Sequence, residues 1–375
     1  MKRINYNKRI IAIFTLTLFA CLLCFSPLFS AVNKFKDPLD YPAREQINPS
    51  KWPLVGVCYT GSRLVSVGPR GLIIVSENDG DTWKQSNVPV QSDLVAVNFP
   101  TKNLGWAVGH DGVILHSDDG GNTWIKQFDG RMAEKQFRKY YEENIQKADD
   151  SFSKALELTK LNYEKGPALP FLDVYFENQL TGYAVGTFGL ISKTTDGGKS
   201  WSPLMHKIDN FQPTMSLNNI KKIHDNLYIT SERGCVFILN KKRDYFEKRE
   251  TGYKGTFFGI TGNDRVILAY GIRGAMYRSR DEGNSWEALS IPTHATISAG
   301  IAIASGDGFL FVTQAGELLS CDGSANNFSV KMADTPMFVV AAAMTPSEHL
   351  IMASIFQGVA RQLFTVSPKR LPNAN

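Results

Sequence analysis

Short runs in which apolar and polar residues alternate recur along most of the chain after residue 50. One set reads LVAVNF (94–99), GWAVG (105–109) and GVILHS (112–117), and matching sets begin near residues 54 and 171. Alternation with a period of two predicts half-buried β-strands, and the Gly-x-x-Gly segments between runs predict tight hairpin turns. We expect the two glycines, such as Gly109 and Gly112, to supply the positive φ that these turns need.

An octet of the form Ser/Thr-x-Asp/Asn-x-Gly-x-Ser/Thr-Trp follows the last run in four of the sets. Its copies are SENDGDTW, SDDGGNTW, TTDGGKSW and SRDEGNSW. The third residue can accept hydrogen bonds from turn amides, and the tryptophan can pack between neighbouring sheets. These pairs are Asn78 and Trp83, Asp119 and Trp124, Asp196 and Trp201, and Asp281 and Trp286. A catalytic acid is needed once, whereas a repeated fold needs its turn in every unit, so we interpret the octet as structural.

The second glycine of the Gly-x-x-Gly turn recurs seven times, at positions 71, 112, 189, 234, 274, 316 and 358. All intervals but one lie between 40 and 45 residues, and the exception, 77, equals one period of 41 plus 36 residues. This spacing predicts an all-β fold over 50–367, a seven-bladed β-propeller with four-stranded antiparallel blades. Three units lack the octet, and Phe246 and Phe328 stand near the tryptophan position in two of them. We interpret 32–49 as a linker that closes the ring, with residues before Leu54 as the outer strand of blade seven.

The 36 extra residues, 131–166, predict one helical insertion between blades 2 and 3. Their apolar side chains recur at three-to-four spacing, for example Phe137, Tyr141, Ile145, Ala148 and Phe152. The pattern allows one continuous helix or a hairpin whose second helix begins at residue 150 or 151. Such an insertion either packs on the propeller or binds a partner, and the sequence leaves both interpretations open.

The N-terminal segment 1–31 has four basic residues among its first nine and continues with an uncharged apolar run over 10–29. This pattern predicts a signal peptide or an N-terminal membrane anchor, and it places the rest of the chain on the exported side, periplasmic or like a thylakoid lumen. Removing the four cations from the net charge of +5 leaves +1. A folded domain that is nearly neutral argues against nucleic acid as a partner.

No catalytic, cofactor or metal site is predicted. Outside the apolar run the cysteines stand at 58, 235 and 321, and neither they nor the six histidines have metal-ligand spacing. The octet lacks the terminal Glu of an EF-hand loop, and the Gly-x-x-Gly turns join strand to strand rather than opening a helix for a phosphate. We interpret the cysteines as buried free thiols or one chance disulfide.

The repeated GWAVG-x-x-GVILHS-x-DGG-x-TW pattern resembles the photosystem II stability/assembly factor family of plants and cyanobacteria, within the wider Asp-box or bacterial neuraminidase-type repeat proteins. The resemblance covers roughly 50–365, and we expect a bacterial member. It implies a propeller without catalysis that assists a membrane-protein precursor through an arginine-lined surface. The resemblance also implies relatives in non-photosynthetic bacteria, where proteins with this repeat occur together with exporters of the resistance-nodulation-division type. The partner is therefore expected to be a membrane protein or complex subunit, of a photosystem or an exporter.

One face of the predicted propeller carries the residues inside the Gly-x-x-Gly turns. They include Arg70, Arg233 and Arg273 in one shared slot, with His110 and Asp111 in the turn of blade 2. Arginine suits a solvated turn, but three guanidinium groups on one face could also bind carboxylates of a partner chain. Our hypothesis is that this face binds protein.

The alternative is a glycan-binding or sialidase-like glycoside hydrolase, because sialidases share the octet and the propeller. Such an enzyme needs an arginine triad, a Tyr nucleophile with a Glu partner, and an acid Asp. The first unit of this sequence lacks the Arg-Ile/Leu-Pro signature of sialidases. Tyr140, Tyr141, Glu142 and Glu143 stand together, but they lie inside the predicted helix. Without a definable acid/base pair, we favour a non-catalytic protein.

Overall fold

The computed structural model describes residues 36–145, 150–166, 168–209, 214–303 and 308–364. Their strands form seven sheets, each a meander in which consecutive strands pair antiparallel. The first strand of every sheet contacts the first strand of the next, and the seventh contacts the first, which closes a ring around a central channel. The chain is a seven-bladed β-propeller, as the spacing of the turn glycines predicted.

Blades 1 to 6 have four strands and blade 7 has three. Blades 1 to 3 are β1 (Gly56–Tyr59), β2 (Leu64–Val67), β3 (Ile73–Ser76), β4 (Lys84–Gln85); β5 (Leu94–Asn98), β6 (Gly105–Gly109), β7 (Ile114–Ser117), β8 (Ile125–Phe128); β9 (Phe171–Phe176), β10 (Gly182–Gly186), β11 (Ile191–Thr194), β12 (Ser202–Pro203). Blades 4 to 7 are β13 (Leu217–Ile223), β14 (Asn226–Ser231), β15 (Cys235–Asn240), β16 (Tyr245–Glu250); β17 (Phe257–Gly262), β18 (Ile267–Gly271), β19 (Met276–Ser279), β20 (Glu287–Ala288); β21 (Ile297–Ile303), β22 (Gly308–Thr313), β23 (Glu317–Asp322), β24 (Ser329–Met332); β25 (Val339–Met344), β26 (His349–Ser354), β27 (Gly358–Leu363).

The second strand of each blade carries most of the core, because both of its faces are covered by neighbouring blades. All residues of β2, β6, β10, β18 and β22 are buried. The apolar clusters run from blade to blade; one joins Val65 and Val75 of blade 1 to Leu94, Ala107 and Trp124 of blade 2. Fully covered strands read as continuous apolar runs, which is why GWAVG and GYAVG lack a polar alternate.

Two helices separate blades 2 and 3, so the insertion is a hairpin: α1 (Gly130–Asn144) and α2 (Asp150–Tyr163). Asp129 caps α1 by accepting hydrogen bonds from the backbone N of Arg131 and Met132 at 3.0 and 3.2 Å. The predicted apolar stripe faces the propeller, with Phe137 and Tyr141 fully buried; Ala148 lies outside the described residues. Within the described residues, no helix is long and apolar enough to cross a membrane, and the predicted segment 1–31 lies entirely outside them.

The N-terminal residues of the described chain run along blade 1 rather than forming a strand of blade 7. Ala43 N donates to Val88 O at 2.9 Å and Gln46 N donates to Gln85 Oε1 at 2.8 Å. The structure describes no strand within 36–53, so the outer strand expected from residues before Leu54 is absent there. Blade 7 instead meets this segment through a 3-10 turn, Pro49–Lys51, which contacts β27. The role of 32–49 as a closing linker stays a prediction.

The expectation about the first turn glycine is wrong. Gly109 has a φ of −175°, ordinary extended backbone, and only Gly112 has a positive φ, 63°. Glycine is needed at 109 because a Cβ there would lie 2.0 Å from the backbone O of Asp93. Equivalent close approaches occur at Gly68, Gly186 and Gly271. The first glycine therefore lets the turn pack against the chain that enters its own blade.

Candidate functional site

The octet turns close on their own side chains. In blade 2, Asp119 Oδ1 accepts hydrogen bonds from Ser117 Oγ and Thr123 N at 2.9 Å each, and Oδ2 accepts one from Thr123 Oγ1 at 2.7 Å. Trp124 Nε1 donates to Gly121 O at 2.9 Å. Burial acts to raise the pKa of Asp119, but these hydrogen bonds outweigh it and leave the pKa below its usual value. Both carboxylate oxygens are thus occupied inside the turn.

The other three octets repeat this arrangement with small variations. Asp196 and Asp281 accept from the Ser200 and Ser285 backbone and hydroxyl groups at 2.6 to 3.0 Å, and Asn78 accepts from Thr82 N at 2.9 Å. The Trp83 and Trp286 indoles donate to the octet glycine, as in blade 2. Trp201 Nε1 is buried without a hydrogen-bond partner among the described residues. In all four octets the third residue therefore stabilises the hairpin turn through side-chain hydrogen bonds.

The Gly-x-x-Gly turns on the opposite face are held by backbone instead. In blade 1, Gly68 N donates to Leu72 O at 2.8 Å and Gly71 N donates to Ser92 O, in the connection to blade 2, at 2.9 Å. The residue before the second glycine adopts a left-handed conformation in five blades: Arg70, Asp111, Phe188, Arg233 and Arg273, with φ between 51° and 58°. Left-handed backbone is uncommon for arginine and phenylalanine. The conformation belongs to the turn, and the sequence pattern did not reveal it.

Within this slot the side chains are used differently. Arg70 and Arg273 are exposed, and neither guanidinium has a hydrogen bond or ion pair among the described residues. Arg233 is also exposed, and His110 is exposed beside the slot. Asp111 is half-buried, and its Oδ2 accepts from Ser92 Oγ at 2.8 Å. The guanidinium groups of Arg70 and Arg273 are therefore available to a partner, whereas Asp111 joins its turn to the connection that enters blade 2.

Two of the three arginines lie at adjoining cavities on neighbouring blades. Arg233 and Lys254 line a cavity of about 370 Å³ beside blade 4, and Arg273 lines one of about 640 Å³ beside blade 5. Tyr253 borders both cavities, and its hydroxyl donates to Ile272 O at 3.2 Å. Arg70, in blade 1, is separated from blade 5 by blades 6 and 7. The structure thus brings together Arg233 and Arg273 and leaves Arg70, with His110, on another part of the ring.

The sequence pattern missed Tyr253 and Lys254. Both stand in the segment TGYKG (251–255), which connects β16 to the first strand of blade 5 and packs against the Gly-x-x-Gly turn through Gly234 N donating to Gly255 O at 2.7 Å. Burial raises the pKa of the Tyr253 hydroxyl, so it stays a neutral hydrogen-bonding group. The signal was available, because connections between blades must share a face with these turns.

Exposed apolar side chains accompany the arginines on this face. Ile272, next to Arg273, is 37% exposed; Phe188 and Phe356, in the turns of blades 3 and 7, are 45% and 69% exposed. Phe356 contacts Phe338 with a ring distance of 5.6 Å. Cations mixed with exposed aromatic and aliphatic groups suit a peptide that carries both carboxylates and apolar side chains.

The residues weighed for hydrolysis do not form a site. Tyr141 is fully buried, and its hydroxyl lies 3.3 Å from His206 Nδ1 beneath the helical hairpin. Glu142 and Glu143 pair with arginine and lysine one turn earlier on the exposed side of α1. Cys58, Cys235 and Cys321 are free thiols, and no group of metal-ligating side chains occurs among the described residues.

Comparisons with known proteins agree with the fold and name a family. A family model described as the photosynthesis system II assembly factor YCF48 matches residues 75–151 and 145–329. The photosystem II assembly lipoprotein Ycf48 of Prochlorococcus marinus is 22% identical over 228 residues, 56% of this chain and 64% of the relative. The photosystem II stability/assembly factor HCF136 of Guillardia theta is 36% identical over 66 residues, 17% of each chain. The matches thus span less than two thirds of these relatives.

A solved structure described as YCF48 bound to D1 peptide has the same fold. It superimposes with a TM-score of 0.62 over 87% of this chain and 100% of that chain, at 14% identity. At this identity the likeness establishes the seven-bladed architecture, and the contacts of the peptide in that structure are a property of that protein.

Proposed function

Because the chain belongs to the YCF48 family of photosystem II assembly factors, we propose that it is an exported, non-catalytic scaffold that binds a membrane-protein subunit during assembly. A relative of this fold binds a D1 peptide, so an extended segment of a photosystem II subunit is the partner we propose. The relatives named above are photosystem factors, which favours this partner over the exporter component or the glycan that the sequence had left open.

The observation that carries the proposal is the basic and apolar surface at blades 4 and 5. Arg233, Lys254 and Arg273 surround Tyr253, and Ile272 adds an exposed aliphatic group. Arginine binds carboxylates through two parallel hydrogen bonds, and a tyrosine adds contact area at low entropic cost. This surface therefore suits a chain segment with closely spaced carboxylate and apolar groups. We assign Arg70 and His110 a secondary part, because they lie across the ring.

Membrane attachment through the N-terminal segment is a further part of the proposal. Relatives in Prochlorococcus marinus are described as lipoproteins, and the uncharged run 10–29 here suits a signal or an anchor. Attachment on the exported side would bring the propeller close to its substrate and raise the local concentration of the two.

The test is binding of overlapping synthetic peptides that cover the exported segments of D1, measured by fluorescence anisotropy with the full chain. We expect the variant with Arg233→Gln and Arg273→Gln to bind its best peptide at least about tenfold more weakly, since each lost charged hydrogen-bond pair costs about 1.5–3 kcal/mol. Arg70→Gln should weaken binding less.

Arg280→Gln serves as the matched control, because Arg280 lies in the octet turn of blade 5, on the opposite face. Equal binding by the double variant and this control would overturn the assigned surface. A chain that binds none of the peptides would overturn the proposed partner. Melting temperatures within 2–3 °C of the parent, about 1 kcal/mol or less for a chain of this size, would show that the variants are folded.

A further inference from the structure

The central channel contains a cavity with two chemically different walls. It has a volume of about 950 Å³ and lies between the first strands of blades 4, 5, 6, 7 and 1, at the end where these strands turn into the second strands. One wall is basic and comes from β13 and the turn after it, which contribute Lys221, Lys222 and His224. Two carboxylates, Asp264 beside His224 and Glu348 after β25, also line the cavity. A volume of this size is within the range of small-molecule sites.

The opposite wall is apolar. Blades 6 and 7 contribute Ile301, Ile303, Ala342 and Met344, and Phe364 follows β27. None of these strand residues is fully buried, so their apolar groups face the water of the channel. Water-facing aliphatic groups inside a concave site favour a ligand with an apolar body.

Of the three basic groups, Lys221 alone lacks a partner at close range. Lys222 pairs with Glu177 at 3.6 Å, and His224 lies 3.2 Å from Asp264. Lys221 has no hydrogen bond or ion pair within the described ranges, although it feels the charge of Asp173 at longer range. Burial lowers the pKa of Lys221, which reports the cost of keeping this ammonium charged without a close anion.

Asp173 forms no ion pair with Lys221 among the described residues, and its oxygens accept hydrogen bonds from other groups. Oδ2 accepts from Asn219 Nδ2 at 2.6 Å and from Ile220 N at 2.8 Å, and Oδ1 accepts from Val174 N at 2.9 Å. These bonds join the first strands of blades 3 and 4. The Lys221 ammonium therefore lines the cavity without a close anion among the described residues.

We propose that this cavity binds a small carboxylate with an apolar body, whose carboxylate pairs with Lys221 while its hydrocarbon part packs on the wall of blades 6 and 7. The site is separate from the arginine-bearing face, so it is a second binding function of the same propeller. An anion there would restore the interaction that the buried ammonium lacks.

Octanoate is the probe, titrated into the full-length protein by calorimetry. We expect one site, at least about tenfold weaker binding in Lys221→Met, and retained binding in Lys221→Arg. Octanol, which has the same chain without the charge, should bind at least about tenfold more weakly than octanoate. Ala302→Trp, which fills the cavity from blade 6 and leaves Lys221 in place, should abolish binding.

Lys84→Met is the control, because Lys84 is exposed on the outer strand of blade 1, and it should bind octanoate like the parent. Three results would each overturn the proposal: no octanoate binding to the parent, equal binding to Lys221→Met, or equal binding of octanol and octanoate. Melting temperatures of Lys221→Met and Lys221→Arg that are no lower than that of the parent show that a loss of binding is local. Peptide binding at the arginine face is measured separately, so the two proposals fail independently.

Discussion

The two kinds of turn in this propeller use their polar side chains in different ways. In the octet turns the carboxylates hydrogen-bond within the turn itself: Asp119 accepts three hydrogen bonds from Ser117 and Thr123. In the Gly-x-x-Gly turns the backbone makes the turn, through Gly68 N and Gly71 N donating to carbonyls. The side chain of Arg70 is therefore left in solvent. A repeated polar residue is structural where the turn needs its side chain, and open to binding where it does not.

The largest predicted loss of stability is at a tryptophan of the octet turns. Trp124 is 4% exposed and packs in the apolar cluster of blades 1 and 2, with Phe99 edge-on at 5.9 Å. Trp124→Ala should lower the free energy of unfolding by about 3–5 kcal/mol, because the cavity left behind cannot collapse fully. Urea denaturation measures this change. Trp286→Ala, at a half-buried indole, should cost less; equal losses would contradict a seam role set by burial.

The carboxylate of the octet gives the next largest effect. Asp119→Ala removes three hydrogen bonds and leaves the Ser117 and Thr123 donors unpaired, which should cost about 1–3 kcal/mol. Asp118→Ala is the matched control, because that neighbouring side chain is exposed and should change stability by no more than about 0.5 kcal/mol. Thermal unfolding of both variants decides the point. Similar losses of stability in the two variants would contradict the distinction between a carboxylate that is hydrogen-bonded in the turn and one that is solvated.

Most of the fold could be predicted because its signals are local and repeated. The period of about forty residues, the alternating runs and the octets predicted seven blades, and the helical spacing around Phe137 and Tyr141 predicted the insertion. The left-handed slot at Arg70, Phe188 and Arg273 could not be predicted in the same way, because left-handed backbone is not typical of those residues. It is set by the second glycine and by contacts with the next blade.

The candidate site was predicted less well, since it depends on distances between blades. The sequence grouped three arginines by turn position, but only Arg233 and Arg273 lie on adjoining blades. Tyr253, which borders both of their cavities, lies in a connection and carries no repeat signal. Asp173 and Lys221 were equally hidden, because Asp173 is a single polar residue in FLDVYF, Lys221 is one of four polar residues in LNNIKKI, and the packing of the first strands of blades 3 and 4 brings the two near each other.

Asp173, in the first strand of blade 3, offers a pH test of a carboxylate that is buried and hydrogen-bonded. Burial raises the pKa of Asp173 to about 6, against the opposing effect of its hydrogen bonds. A raised folded-state pKa means that the stability contributed by this group is greatest below about 4 and is lost as pH rises through about 6. Asp173→Asn should remove that loss, on the order of 2 kcal/mol, when urea unfolding is compared between pH 4.5 and 7.5. A variant with the parent's pH dependence would contradict the burial of this carboxylate.

The smallest effect on stability is predicted at Arg70, whose side chain makes no contribution to its turn among the described residues. Arg70 has a φ of 57° and a ψ of 36°, a region that asparagine adopts at less cost than arginine. Arg70→Asn should therefore keep or raise the free energy of unfolding, by up to about 1 kcal/mol, in urea denaturation. Arg44→Asn, at an exposed arginine without a positive φ, controls for the loss of charge and should gain nothing. A clear loss of stability in Arg70→Asn would show that this guanidinium supports the turn, and the contrast between the two faces would then rest on Arg273.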